Sequence, residues 1–169
     1  MTARRAWTLF ALALFVFLVD YLSKAYVHAH IPLLGLEHRV YPYGGIPVLR
    51  DWFGVDFSIN HAINRGAAWG AFAEYQDLLL YLRIAIIGGV VAYLIFVKTD
   101  GWAQTALSLV LAGAAGNVFD TFYYGYVIDL FLFRFGSYYY PLFNVADASI
   151  FVGVMLLLLR SFKRKEQTS

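Results

Sequence analysis

An all-α integral membrane protein is the fold class that the sequence predicts: four transmembrane helices with a small β-rich extracytoplasmic segment between the first and the second. Composition is one reason. Of 169 residues, 61% are hydrophobic and 14% charged, whereas soluble domains carry about a quarter charged residues; mean hydropathy is +0.63. Run length is another, because four segments approach the roughly 20 apolar residues that cross a hydrocarbon core as helix. The third is charge placement. Arg4 and Arg5 precede the first span, Lys98 lies between the second and third, and Arg160, Lys163, Arg164 and Lys165 follow the fourth. With four spans all of these fall on one side, which the positive-inside rule makes cytoplasmic.

The first span covers about residues 7–28. Its basic start and apolar stretch also describe a cleaved secretory signal, but Asp20 and Lys24 stand where such a signal reaches its cleavage site. Val27-His28-Ala29 also departs from the small-x-small cleavage pattern. Residues 39–60 carry Pro42, Gly44, Gly45, Pro47 and Gly54 as turn punctuation, and 55–59 alternate apolar and polar residues as strands do. A small sheet resting on the outer membrane surface is expected here, with Tyr41, Tyr43, Trp52 and Phe53 suited to the headgroup layer. The second and third spans, about 78–97 and 102–119, are joined by a tight turn over 98–101. Ala112-Gly113-Ala114-Ala115-Gly116 is a small-residue face that lets helices approach closely, with Gly88-Gly89 a candidate partner surface. In the second outward segment, Phe131, Phe133, Phe135, Tyr138, Tyr139 and Tyr140 read as an interfacial belt or as the lining of an apolar groove. The fourth span covers about 145–159. Residues 1–162 then form a single polytopic domain, and 163–169 a disordered basic tail. Arg39, Arg50, Arg65 and Arg134 lie in the outward segments, so the charge bias is carried by the chain ends.

Several chemistries are disfavoured. A balance of 13 Lys and Arg against 11 Asp and Glu gives +2, with no basic stripe of the kind that nucleic acid requires. Zero cysteines leave no disulfide, thiolate metal site or Cys nucleophile. No serine lies in a Gly-x-Ser-x-Gly elbow. The histidines His28, His30, His38 and His61 include one His-x-His but no adjacent carboxylate, so they read as interfacial side chains.

Ionisable groups within or beside membrane helices are costly and usually face a partner or a wet cavity. Asp20, Asp120, Asp129 and Asp147 all fall toward the outward ends of the helices or in the outward loop. Asp20 and Lys24, spaced i, i+4, make a favourable helical ion pair. Asn144 and Asp147 resemble an N-cap with an acid at the third helical position. Asp120, expected at the end of the third helix, is disfavoured by the macrodipole and needs a donor or cation. Asp129 lies in the apolar run Val127-Ile128-Asp129-Leu130-Phe131, which has no structural use for a lone carboxylate. Two carboxylates in a partly dry site share a proton and activate water toward a carbonyl, and Asp129 with Asp147 is the expected pair.

Five ordered motifs carry a resemblance over nearly the whole chain. Asp20-Tyr21-Leu22-Ser23-Lys24, Asn64-Arg65-Gly66-Ala67-Ala68-Trp69-Gly70, Gly113-Ala114-Ala115-Gly116-Asn117-Val118-Phe119-Asp120, Val127-Ile128-Asp129 and Phe143-Asn144-Val145-Ala146-Asp147-Ala148 are similar to those of the bacterial lipoprotein signal peptidases, signal peptidase II. The resemblance implies a membrane aspartic endopeptidase that removes the signal peptide of prolipoproteins before a diacylglyceryl-modified cysteine. It implies catalysis by Asp129 and Asp147, with Asp20, Lys24, Asn64, Gly66, Asn117, Asp120, Asn144 and Ala146 shaping the pocket and holding substrate. No metal or organic cofactor is expected, and the implied partners are lipidated prolipoproteins and membrane lipids, with the site toward the outer face of the cytoplasmic membrane. Thr121 stands where the family pattern has arginine, and Arg65 or Arg134 is a candidate replacement for that cation. A proton-coupled transporter or a structural membrane protein is the alternative, although transporter sites tend to sit at the midplane of repeated, interrupted helices and no repeat is visible.

Overall fold

Each apolar run becomes a helix; the first, third and fourth helices run past the C-terminal ends of their runs, while the second stops at Phe96. In the computed structural model, which describes residues 2–35, 40–66 and 71–166, the helices are α1 (Ala3–His30), α2 (Gln76–Phe96), α3 (Gly101–Tyr124) and α4 (Val145–Glu166). All four are long and apolar enough to cross a membrane. The stop signals account for the extra length. Asp100 accepts a hydrogen bond from Ala103 N at 2.9 Å and so caps the start of α3. Nothing in 119–124 breaks a helix, and α3 ends only at Gly125, whose φ of 79° is the left-handed conformation glycine tolerates. Asp120 therefore lies a turn inside the helix instead of at its end. The fourth helix likewise runs on through Glu166, into the segment expected to be disordered; basic residues at a helix C-terminus favour its dipole.

Apolar side chains that a soluble fold would bury stand out along these helices, among them Trp7 (71% exposed) and Ile95 (68%), and α2 buries none of its residues. Such surfaces belong in lipid, where the helix satisfies its own backbone.

The chain divides into two compact units: Met1–Asp20, Tyr81–Val118 and Val145–Ser169, and then Tyr21–Leu80 with Phe119–Asn144. The first is helical and close-packed through glycine. A Cβ at Gly113 would come within 2.3 Å of Ala146 O, and one at Gly153 within 2.6 Å of Ala106 O. Here the small-residue face does bring helix backbones together. Gly88 and Gly89, the expected partner surface, have open space around them.

The second unit holds a four-stranded antiparallel sheet, in the order β1 (Ile46–Trp52), β2 (Val55–Asn64), β3 (Val127–Phe135), β4 (Tyr138–Tyr139). An all-α description is thus too narrow. The first two strands fall where turn punctuation placed them, but β3 and β4 come from the segment between α3 and α4. Phe57 pairs with Phe133 and Ala62 with Asp129, with a bulge between Ile59 and Ala62. Strand alternation gives β3 two faces. Ile128 and Leu130 join Val27 and Ile31 in a buried core. Asp129, Phe131, Phe133 and Phe135 share the other face, where the Phe57 and Phe133 rings stack at 4.3 Å. The β1–β2 hairpin closes through Phe53 and Gly54, at φ 52° and 79°, a two-residue turn matched to strand twist. Phe53 at its tip is 90% exposed.

His61 fastens the chain beyond α1 to this sheet. Its Nδ1–H donates to Ile31 O at 3.0 Å, while its own carbonyl accepts from Leu34 N at 2.7 Å. Among the described residues, its Nε2 is buried without a hydrogen-bond partner. Burial, then the nearby His28, hold the imidazole below its ordinary 6.5. The unfolded chain therefore binds a proton at a higher pH than the folded one, and this contribution to stability is complete above about pH 6.5 and shrinks as the pH falls. Thermal unfolding between pH 7.5 and 5 should show the wild type losing stability by at most about 1.4 kcal/mol per pH unit from this group. His61→Asn, which keeps a donor for Ile31 O, should flatten that part of the curve.

Candidate active site

Asp129 is 3% exposed on β3, a position in which a carboxylate needs hydrogen bonds to both oxygens. Asn144 Nδ2 donates to Oδ1 at 2.8 Å and Asn64 Nδ2 to Oδ2 at 2.9 Å. These amides are themselves held. The side-chain oxygen of Asn64 accepts from Gly66 N at 2.9 Å, a turn in which the backbone two residues on orients the side chain. Asn144 also donates to Ile128 O at 3.2 Å. Asn64, Gly66 and Asn144 thus form one brace around a single carboxylate. Both amide donors are neutral, so they fix Asp129 without neutralising it. A groove of about 350 Å³ opens beside it, lined also by Ala62, Ile63, Asn64, Arg65, Ala73 and Leu142.

Asp120 is held differently. Its Oδ2 lies 2.8 Å from Lys24 Nζ, with the two side chains 1% and 0% exposed, and the same oxygen accepts from Ile128 N at 3.2 Å. Lys24 is therefore the cation that Asp120 requires, and neither Arg65 nor Arg134 is needed for it. Arg134 is engaged elsewhere: its Nε–H donates to Asp56 Oδ2 at 2.6 Å, and its Nη2 contacts the same oxygen. A hydrogen bond from Asp51 N, then Arg134, hold the Asp56 carboxyl below the usual carboxylate range.

The remaining predicted residues lie in the helical unit. Asp147, the third residue of α4, is half-buried, and its Oδ1 accepts from Asn117 Nδ2 at 2.7 Å. Asp20 is 1% exposed, and its Oδ1 accepts from Ala146 N at 2.8 Å. A carboxylate from α1 thus satisfies one of the donors that the start of α4 leaves open. Gly113 and Gly116 make room for this bond, since a Cβ at Gly116 would reach within 2.6 Å of Asp20 Oδ2. The small-residue spacing on α3 signals a close approach, and the structure identifies Ala146 and Asp20 as what these glycines approach. The role of Ile128 N leaves no trace in side-chain identity. Of the motif residues, Ala67, Ala68, Trp69 and Gly70, and of the histidines His38, lie outside the described residues.

Residues 12–163 match the model of a family described as signal peptidase (SPase) II. The lipoprotein signal peptidase of Chlamydia pneumoniae is 37% identical over 172 residues, covering 99% of this chain and 98% of that protein. That of Chlamydia felis is 34% identical, covering 96% and 95%. A bacterial membrane enzyme solved by the in meso method at 2.3 Å resolution has a TM-score of 0.82 at 26% identity, over 96% of this chain and 92% of its own. A second, at 1.9 Å, has 0.73 at 27% identity, over 92% and 93%.

Removing one partner of a buried ion pair leaves the other charge uncompensated. Lys24→Met should lower unfolding stability in detergent by about 3–5 kcal/mol. Adding Asp120→Asn should recover a large part of that loss, because the uncompensated charge goes while an acceptor for Ile128 N remains. A double variant no more stable than the single would show that the pair is not what matters.

Proposed function

The chain belongs to the signal peptidase II family, and on that premise we propose that it is an aspartic protease in which Asp129 and Asp147 together activate the water that cuts the substrate. As a member of that family it is a multi-pass bacterial membrane protease that removes signal peptides from prolipoproteins. Transporter and structural-protein readings are thereby set aside.

The proposed cut falls before a cysteine carrying a diacylglyceryl group. One carboxylate takes a proton from water as the water oxygen bonds to the scissile carbonyl carbon, and the other, protonated, gives its proton to the carbonyl oxygen. Collapse of the tetrahedral intermediate breaks the carbon–nitrogen bond. The carboxyl that took the water proton gives it to the departing cysteine amine. A hydroxyl of the intermediate passes its proton to the other carboxylate as the product acid forms, and the pair again shares one proton. The observation that carries this reading is Asp129: a buried carboxylate, gripped on both oxygens by neutral amides and open to a groove. Packing alone gives no reason to keep such a group in an apolar strand. Asp147 follows Asn144, which holds Asp129, by three residues in the chain, and has its own amide donor in Asn117. Lys24 and Asp120 act as positioning residues, through the bond that Asp120 makes to the residue before Asp129.

The basic residues at the chain ends and at Lys98 support cytoplasmic termini, with the aspartates toward the outer face. That depth suits a lipidated substrate: acyl chains stay in membrane lipid while the peptide bond reaches water. The aromatic face that Asp129 shares with Phe131 and Phe133 suits the apolar residues of a signal peptide.

Purified protein incubated with a diacylglyceryl-modified preprolipoprotein tests the reading. Asp129→Asn and Asp147→Asn should each lower the cleavage rate at least about 10²- to 10⁴-fold, the range for a positioned acid or base, while melting within a few degrees of the wild type. Near-normal cleavage by either variant would remove that aspartate from the mechanism.

A further inference from the structure

A second and larger groove, of about 740 Å³, lies in the helical unit and uses none of the residues given a role in cleavage. Its volume is within the range of about 300–1,000 Å³ typical of small-molecule sites. Its walls differ in character. Leu9 and Phe10 of α1 and Leu94 and Phe96 of α2 make an apolar side, while Gln104 and Ser108, one turn apart on α3, make a polar stripe with Lys98 in the lining.

The polar stripe has a cation behind it. Gln104 Oε1 accepts from Arg5 Nε at 2.6 Å, and its amide donates to Thr99 O at 3.0 Å; Arg5 also donates to Gly101 O. The nearby acid is already taken. Asp100 accepts from Ala103 N and holds Arg160 at 2.7 Å, and these contacts, in that order, keep its carboxyl below the usual range. Lys163 is occupied over the Trp102 ring, 5.0 Å from its centroid. Lys98 is exposed, and among the described residues it makes no ion pair and no acidic side chain lines the groove. One apolar wall, one polar wall and an uncommitted ammonium group fit an amphiphile with an anionic head. A free phosphate would have no use for the apolar wall, and a zwitterionic lipid would gain little from Lys98.

We propose that this groove binds one anionic phospholipid of the bilayer, with its phosphate at Lys98 and an acyl chain along Leu9, Phe10, Leu94 and Phe96. A lysine near an anionic headgroup favours binding by about five-fold. The site is independent of the cleavage mechanism and is read by binding rather than turnover.

The test uses the full-length protein in a neutral detergent, titrated with phosphatidylglycerol or phosphatidylcholine, with bound lipid counted by native mass spectrometry and stability followed as Tm. The expected result is one saturable phosphatidylglycerol per chain, a raised Tm, and at least about five-fold weaker binding of phosphatidylcholine. Inorganic phosphate and glycerol phosphate should not reproduce the Tm shift. Lys98→Gln, a change at an exposed side chain, should lower phosphatidylglycerol affinity about five-fold and leave phosphatidylcholine unaffected. Ala6→Phe, which fills the groove, should abolish the saturable site. Equal affinity for the two lipids, non-saturable binding insensitive to Lys98→Gln, or an equal Tm shift from free phosphate would each overturn the proposal.

Discussion

One buried charge pair organises the sheet-bearing unit. Lys24 and Asp120 are almost wholly removed from solvent and stand 2.8 Å apart, where either alone would be strongly destabilising. The oxygen that meets Lys24 also receives Ile128 N, so a single atom ties α1, α3 and β3 together. Ile128 points its side chain into the core with Val27 and Ile31. The next residue along, Asp129, must then face the opposite way. The orientation of that carboxylate follows from a contact made one residue earlier.

The same logic recurs in the helical unit with different parts. Asp20 is also a buried acid, and its Oδ1 accepts from the backbone nitrogen of Ala146, a donor that every residue except proline supplies. What the chain must specify there is space, through Gly113, Gly116 and the small side chain at 146. In one unit position is set by charge, in the other by the absence of side chains.

The spans are legible in the sequence because an apolar run of such length has little use outside a bilayer, and the four aspartates are legible because carboxylates are conspicuous in an apolar chain. The third strand is not. Phe131, Phe133 and Phe135 repeat with a period of two, yet aromatic residues beside a membrane also form belts, and the periodicity is lost in that second meaning. The C-terminal ends of α1, α3 and α4 read short because an apolar run marks the part of a helix in lipid and not its stop signal; Gly125 is what stops α3. The contact of Lys24 with Asp120 is obscured by proximity: Asp20, four residues away, offers a local pairing, while Asp120 lies nearly a hundred positions downstream. Sequence distance hides contacts of this kind, and only the motifs taken together hint at them.

The amide grip on the two proposed catalytic carboxylates has a consequence for variation. Asn64, Asn117 and Asn144 serve as donors toward aspartates, and aspartate itself has nearly the same shape as asparagine. An exchange to aspartate at any of the three would fit sterically while turning a donor into an acceptor facing a second acid. These positions are therefore guarded by polarity and not by volume, and slow deamidation of an ageing molecule would strike at the same point as a mutation.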